Sequence, residues 1–215
     1  MAVIYETTMT PGKLELLTAW LPTQPWYAGP GPAPRLAKAG GFRLDDPDGE
    51  VGMEFMVVTD TSGDRPVTYH APLSYRGAAL DGAEEGLVGT SEHGVLGRRW
   101  VYDGTRDPVL VAQLLALLQG RAEPQHQTSG GTPDPSVSAH FTEGTASPLA
   151  AITAIENGPD GTAITVATEP SGTLTIGVAR VLHPHNTATD AQTHVTAPWR
   201  TPDGTEHRAP FAVLR

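Results

Sequence analysis

Hydrophobic and polar positions along the chain follow two periods: a helical one in two short stretches, and a period of two almost everywhere else. Residues 12–21, GKLELLTAWL, set Leu14, Leu17, Trp20 and Leu21 three or four positions apart, so one helix face is apolar, and Pro22 ends it. A second helix is predicted over 107–118. There Asp107 can cap, Pro108 suits the first helical position, and Leu110, Leu114, Leu117 and Leu118 line one side. Between the helices lie strand-like runs at 36–44, 51–59 and 66–75, separated by the turns DDPDG and TSGD. In the third run Val67, Tyr69, Ala71, Leu73 and Tyr75 alternate onto one face, and the three runs read as an antiparallel meander. Residues 77–97 are polar and glycine-rich and carry no clear period, whereas GRRWVYDG at 97–104 is a further strand.

After the second helix, RAEPQHQTSGGTPDP (121–135) has a linker's composition and places a domain boundary near residue 130. Beyond it, period two returns in ITAI (152–155), TAITVAT (162–168), TLTIGVARVL (173–182), THVTAPW (193–199) and HRAPFAVLR (207–215). The turns NGPDG, EPSG and TPDG punctuate these runs. The expected fold is α+β: a curved antiparallel β-sheet packed with two main helices in domain 1–130, followed by a second small β-rich subdomain at 131–215.

Composition narrows the function. At 215 residues with 39% apolar content the chain can bury a core without staples, and with no cysteine it has no disulfide, thiolate metal site or cysteine nucleophile. A net charge of −10 and the lack of a Lys/Arg cluster argue against a nucleic-acid partner; Arg98 and Arg99 are too few to form a basic patch. No segment approaches the roughly 18 apolar residues of a membrane span, and the N-terminus lacks a signal-peptide pattern, so a cytoplasmic protein without a membrane partner is expected.

Two of the four tryptophans fall in WLPTQPWYAG (20–29), directly after the first helix. This segment is followed in order by YHAPLSYRG (69–77), GLVG (86–89) and WVYDGTRDP (100–108) before the leucine-rich helix. The series resembles the N-terminal cap domain of actinobacterial maltokinases and related sugar kinases, over about residues 12–120. The resemblance implies a cap followed by a small strand-rich subdomain and a helical catalytic lobe of the aminoglycoside-phosphotransferase type. Residues 160–182 look like the opening hairpin of the small subdomain, whose second strand should present a lysine to the nucleotide phosphates. Gly177 stands at that position, and no lysine follows Lys38. The catalytic loop of form HGD and the magnesium-binding aspartate, which the family places in its large lobe, are not among these 215 residues.

The resemblance therefore implies a non-catalytic binding or regulatory protein, linked to glycogen and trehalose (α-glucan) metabolism, with no cofactor. Its expected partner is a kinase or another protein of that metabolism, or a second copy of the chain. Trp26, Tyr27, Trp100 and Tyr102 can pack as core or stack on a sugar. Together with Tyr75 and Arg76 they form the candidate ligand or partner surface. The alternative is a small ligand-binding protein or metal-dependent enzyme using the histidine-rich C-terminal part. There His183, His185 and His194, with Asp190 and His207, are weak metal-ligand candidates lacking an HExxH spacing. No GxSxG elbow marks a serine hydrolase, and no GxxxxGK loop marks a nucleotide site.

Overall fold

The computed structural model describes residues 8–128, 130–141, 147–170, 172–184 and 191–215. Its first half follows the periodicities closely. Helix α1 (Lys13–Trp20) begins at Gly12, whose N–H is held by the Glu15 carboxylate at 2.6 Å, and a single 3₁₀ turn at 21–23 carries the chain past Pro22. Helix α2 (Pro108–Leu118) starts where expected: the Asp107 carboxylate accepts the Val109 N–H at 2.9 Å, satisfying a donor the helix leaves unpaired.

Strands β1 (Met9–Thr10), β2 (Leu36–Leu44), β3 (Gly52–Asp60), β4 (Val67–Arg76), β5 (Leu87–His93) and β6 (Gly97–Asp103) precede α2. Strand β5 occupies part of the stretch that shows no period in the sequence. Its face is mostly exposed and a register shift between Leu87 and Gly89 interrupts the alternation, so pairing with β6 fixes it rather than burial. After α2 come β7 (Ser138–His140), β8 (Leu149–Asn157), β9 (Gly161–Thr168), β10 (Gly172–Ala179), β11 (Val181–Leu182), β12 (Thr193–Arg200) and β13 (Glu206–Leu214). The molecule is mostly antiparallel sheet with two short helices.

The expected second β-rich unit at 131–215 shares its sheet with the first. Strand order runs β1-β5-β6-β4-β3-β2-β12-β13-β10-β9-β8, with Trp199 of β12 opposite Gly40 of β2. The far edge of β4 is divided: residues 73–76 pair with β6, whereas Tyr69 and Thr68 pair with Val181 and Leu182 of β11. Only Arg180 separates β11 from β10. The path β4-β3-β2-β12-β13-β10 thus returns to β4 and closes a ring. The continuous run at 173–182 is in fact two strands with different neighbours, broken at Arg180.

Two cores follow from this closure. Within the ring, Phe42 stacks on Phe55 at 4.5 Å, His70 meets Phe211 at 4.6 Å, and Trp199 approaches Phe211 at 6.2 Å. Leu110, Leu114 and Leu117 of α2 join this cluster, as do Ile164, Ile176 and Val195 from the second half of the chain. On the other side of β3 and β4, α1 packs Leu16, Leu17 and Trp20 against Met56, Val58, Ala71 and Leu73. Strand β3 is buried on both faces, which is why GMEFMVV reads almost as a continuous apolar run.

The seam where β11 meets β4 is polar and tightly paired. Arg180, fully buried, donates to both Asp103 carboxylate oxygens at 2.6 and 2.7 Å, to Thr105 at 2.8 Å and to Thr162 at 2.8 Å. Its guanidinium carbon lies 5.0 Å from the centroid of Trp26. His70 is held nearby through Nδ1, 2.9 Å from the Ala179 carbonyl, which makes Nδ1 the protonated nitrogen and leaves the buried Nε2 without a partner. Burial, opposed by that hydrogen bond and helped by the Arg180 charge, lowers the His70 pKa to about 3.

Candidate functional site

Alternation on the sheet aims one residue from each of four neighbouring strands toward α1. Arg43 of β2 stands opposite Glu54 of β3, and Tyr75 of β4 stands opposite Gly52 of β3 and Val101 of β6, whose second neighbour Arg99 shares its face. With the N-terminal turn of α1 they border a cleft of about 760 Å³.

Glu54 forms its floor. The side chain is 4% exposed, and both oxygens are engaged: Lys13 of α1 donates to Oε2, the Tyr75 hydroxyl donates to Oε2 at 2.9 Å, and Gln127 donates to Oε1 at 3.0 Å. The Lys13 ammonium also sits 5.3 Å from the centre of the Tyr75 ring. Burial raises the Tyr75 pKa well above the usual phenol, and the Glu54 charge and hydrogen bond raise it further, so this hydroxyl stays a donor. Gln127 arrives from the loop after α2, and it fits because residue 41 is glycine. At φ +126°, a Cβ there would stand 2.2 Å from the Phe55 carbonyl oxygen and 2.5 Å from Gln127 Nε2.

The remaining acids of the cleft are mostly turned inward. Asp46 accepts the backbone N–H groups of Asp48, Glu50 and Val51 at 3.1, 2.9 and 2.8 Å, stapling the turn between β2 and β3. Glu15 is occupied by the N–H of Gly12. The cations are disposed differently: Lys38, Arg43 and Arg99 have no carboxylate partner among the described residues, and Arg99 Nε is buried without an acceptor. Burial, then the positive charges of Arg99 and Lys13, lower the pKa of the neighbouring His93. The cleft carries acids and bases in equal number, the acids mostly engaged within the protein and Lys38, Arg43 and Arg99 without a carboxylate partner among the described residues.

The candidate surface residues are scattered by the fold. Trp26 is 1% exposed and packed edge-on to Trp20 at 5.7 Å; Tyr102 is buried with its hydroxyl accepting the Leu80 N–H at 2.9 Å. Neither is a surface residue, because both rings complete the core beneath α1 or anchor the loop before β5. Tyr27 is half-buried, stacked on Tyr69 at 5.6 Å and donating to the Gly31 carbonyl at 2.9 Å. Arg76 points to the opposite face, where its Nε and Nη2 clamp Asp107 at 2.7 and 2.6 Å and so secure the start of α2. Burial would raise the Asp107 pKa, but the paired Arg76 and the Val109 N–H hold it below the usual carboxylate value. Trp100, half-buried, shares that opposite face, being next to Val101 in β6. Of the six, Tyr75 alone lines the cleft.

The histidines do not converge either. His183 is exposed, 3.5 Å from Asp160, and His194 stacks on His140 at 4.7 Å with Nδ1 3.0 Å from the Ala191 carbonyl. His207 lies against Trp199. His185 and Asp190 lie outside the described residues. Among the described residues no group of three His, Asp or Glu side chains is placed to hold a metal ion. Likewise, no helix among them is long and apolar enough to cross a membrane.

Residues 20–107 match the family model of the maltokinase N-terminal cap domain. This span, a little under half of the chain, starts at Trp20 of WLPTQPWYAG and ends at Asp107 of WVYDGTRDP, so the resemblance carried by those motifs is upheld over it. It contains the last residue of α1 and strands β2 to β6, and hence Arg43, Glu54, Tyr75 and Arg99; Lys13 and Gln127 come from outside it. No match was found among curated proteins.

Proposed function

We propose that the protein is a non-catalytic binding or regulatory protein that carries a maltokinase-type cap and serves cytoplasmic α-glucan metabolism by engaging a kinase or another enzyme of that metabolism. The observation that supports it most is the cap match over residues 20–107 combined with the state of position 177. In kinases of this type the corresponding hairpin offers a lysine to the nucleotide. Here β9 and β10 form the hairpin, Thr162 opposite Val178, but Gly177 faces Val213 so closely that a Cβ would stand 3.0 Å from its Cγ2. The residue type that a phosphate contact needs is missing at that point, and any side chain there would press on Val213.

The cleft agrees with binding rather than turnover. Its two buried carboxylates, Glu54 and Asp46, each already accept three donors, which leaves them poor general bases. Glu54 and Tyr75 define a preorganised floor, and preorganised polar groups with an apolar surround are what small-ligand sites use for specificity.

The test is direct. Purified protein given ATP and maltose is expected to release no ADP and phosphorylate no sugar. The immobilised protein is expected to retain an identified enzyme of α-glucan metabolism, or calorimetry to register maltose or glycogen. Turnover of a sugar, or the absence of both kinds of binding, overturns the proposal.

A further inference from the structure

The geometry points to the cleft beneath α1 as a binding site for a small organic oxyanion, a compound joining a phosphate or carboxylate group to an apolar body; this deepens, and rests on, the binding role proposed above. The first ground is the uneven satisfaction of charge. The chain carries −10 overall, so unpaired cations should readily find carboxylates. Yet Arg43, Arg99 and Lys38 line one recess without a carboxylate partner among the described residues, while Glu54, Asp46 and Glu15 beside them are occupied by donors of the protein itself. Glu50, on the exposed turn, is the exception.

The second ground is Arg99 itself. Its Nε is buried and has no acceptor among the described residues. A guanidinium short of one partner is stabilised by an oxygen that reaches its other N–H groups from the cleft. Arginine's planar fork suits the paired oxygens of phosphate and carboxylate, and Arg43 approaches the same cleft from the other end of the four-strand row.

The third ground is the rest of the wall. Met9, Leu14, Met56 and Leu96 supply apolar surface, two of them as thioether side chains that adapt to irregular shapes. A volume of about 760 Å³ exceeds what a bare inorganic anion needs and lies in the range of small-molecule sites. Charge at the head and apolar contact along the body are both provided for.

Four probes separate the sources of the anion: 4-nitrophenyl phosphate, 4-nitrobenzoate, inorganic phosphate and uncharged 4-nitrophenol, each titrated into the full chain by calorimetry. The expected result is binding of the aryl phosphate or the nitrobenzoate with Kd tighter than about 1 mM. The better of these two names the head group; inorganic phosphate should be at least about tenfold weaker and 4-nitrophenol should not bind. Arg43→Gln and Arg99→Gln should each weaken the better probe by about tenfold, Arg43→Lys and Arg99→Lys by less, and Arg98→Gln, whose exposed side chain does not line the cleft, should have no effect. Thermal unfolding of the unliganded variants shows that they are folded. The site is overturned if neither aryl anion binds, or if both bind the two glutamine variants as tightly as the parent. Loss of anion binding with an α-glucan enzyme still captured rejects this site and keeps the binding role. Release of yellow 4-nitrophenolate from the bound phosphate, lost in Arg99→Gln, keeps the site and rejects the non-catalytic role.

Discussion

Two buried acids in this protein, Asp103 at the ring seam and Glu54 on the cleft floor, are both engaged by donors of the protein itself but have opposite surroundings. Asp103 is closed in: Arg180 takes both its oxygens and donates also to Thr105 and Thr162, its Nη1 finding no partner among the described residues, and the Trp26 ring covers it. Glu54 is equally well satisfied, but its partner Lys13 is 38% exposed and the cations next to it have no carboxylate partner among the described residues. Paired charge without solvent serves the fold, joining β6 to the β10–β11 connection. Paired charge at the bottom of an open recess, flanked by such guanidinium groups, orients a surface toward something else. The difference separates residues that hold this molecule together from residues that remain available.

Breaking the seam should have the largest effect. Arg180→Met leaves the Asp103 carboxyl group buried without its partner, and the expected loss is about 3–5 kcal/mol of stability, read from urea unfolding. A loss no greater than that of a surface substitution would mean that solvent reaches the seam. Glu54→Gln should cost less, about 1.5–3 kcal/mol, the range for hydrogen bonds to a charged group, because Lys13 keeps access to water. If Glu54→Gln proved as damaging as Arg180→Met, the contrast between the two acids would be lost.

The histidine inside the ring gives a third test. His70 has a folded pKa of about 3 against 6.5 for the free side chain, so below pH 6.5 the unfolded chain takes up a proton that the folded chain refuses. Its contribution is therefore intact above pH 6.5 and is lost as pH falls from 6.5 toward 3, at up to about 1.4 kcal/mol per pH unit. His70→Phe, among Phe55 and Phe211, should flatten the parent's decline over that window by this amount; equal slopes would mean that His70 is protonated in the fold. The smallest effect is expected at an exposed ion pair of the β5–β6 hairpin, outside the cleft. Arg98 and Glu92 are each 61% exposed and 2.9 Å apart, and a double-mutant cycle should give a coupling of about 0–1 kcal/mol that vanishes in high salt.

Elements whose periodicity is reinforced by local chemistry were legible in the sequence. Helix α2 combined a cap, a proline and a leucine stripe, and β2, β3 and β4 were bounded by clear turns. What escaped was set by partners distant in sequence. Strand β5 has little burial of its own, and the interruption of β10 and β11 at Arg180 depends on Asp103, seventy-seven residues earlier. The shared sheet was hidden for the same reason, since the contact of Trp199 with Gly40 leaves no local trace.

The cleft was partly readable. Tyr75 was picked out by alternation, but Lys13, Arg43, Glu54 and Arg99 were not. Glu54 did carry a signal: it is the one charged residue inside GMEFMVV, a run buried on both faces, and such a residue needs partners. Arg99 was visible as half of a short arginine pair, and only the fold sends it into the recess while Arg98 faces solvent. The aromatic residues of WLPTQPWYAG were the most conspicuous, and they are packed because helix-to-sheet contact needs bulky apolar side chains.

The closing of the ring by β11 and β12 also sets an order of events during synthesis. When the cap segment has emerged as far as Asp107, β2 has a partner on one side only, and the Tyr69 end of β4 lacks the strand that will cover it. Those two edges wait for residues 181–182 and 199, more than seventy positions downstream. A nascent chain arrested between α2 and β12 would present two open strand margins, which are templates for pairing with other chains. Folding of the first half is thus completed from its far end, and the last strands made are the ones that make the early ones safe.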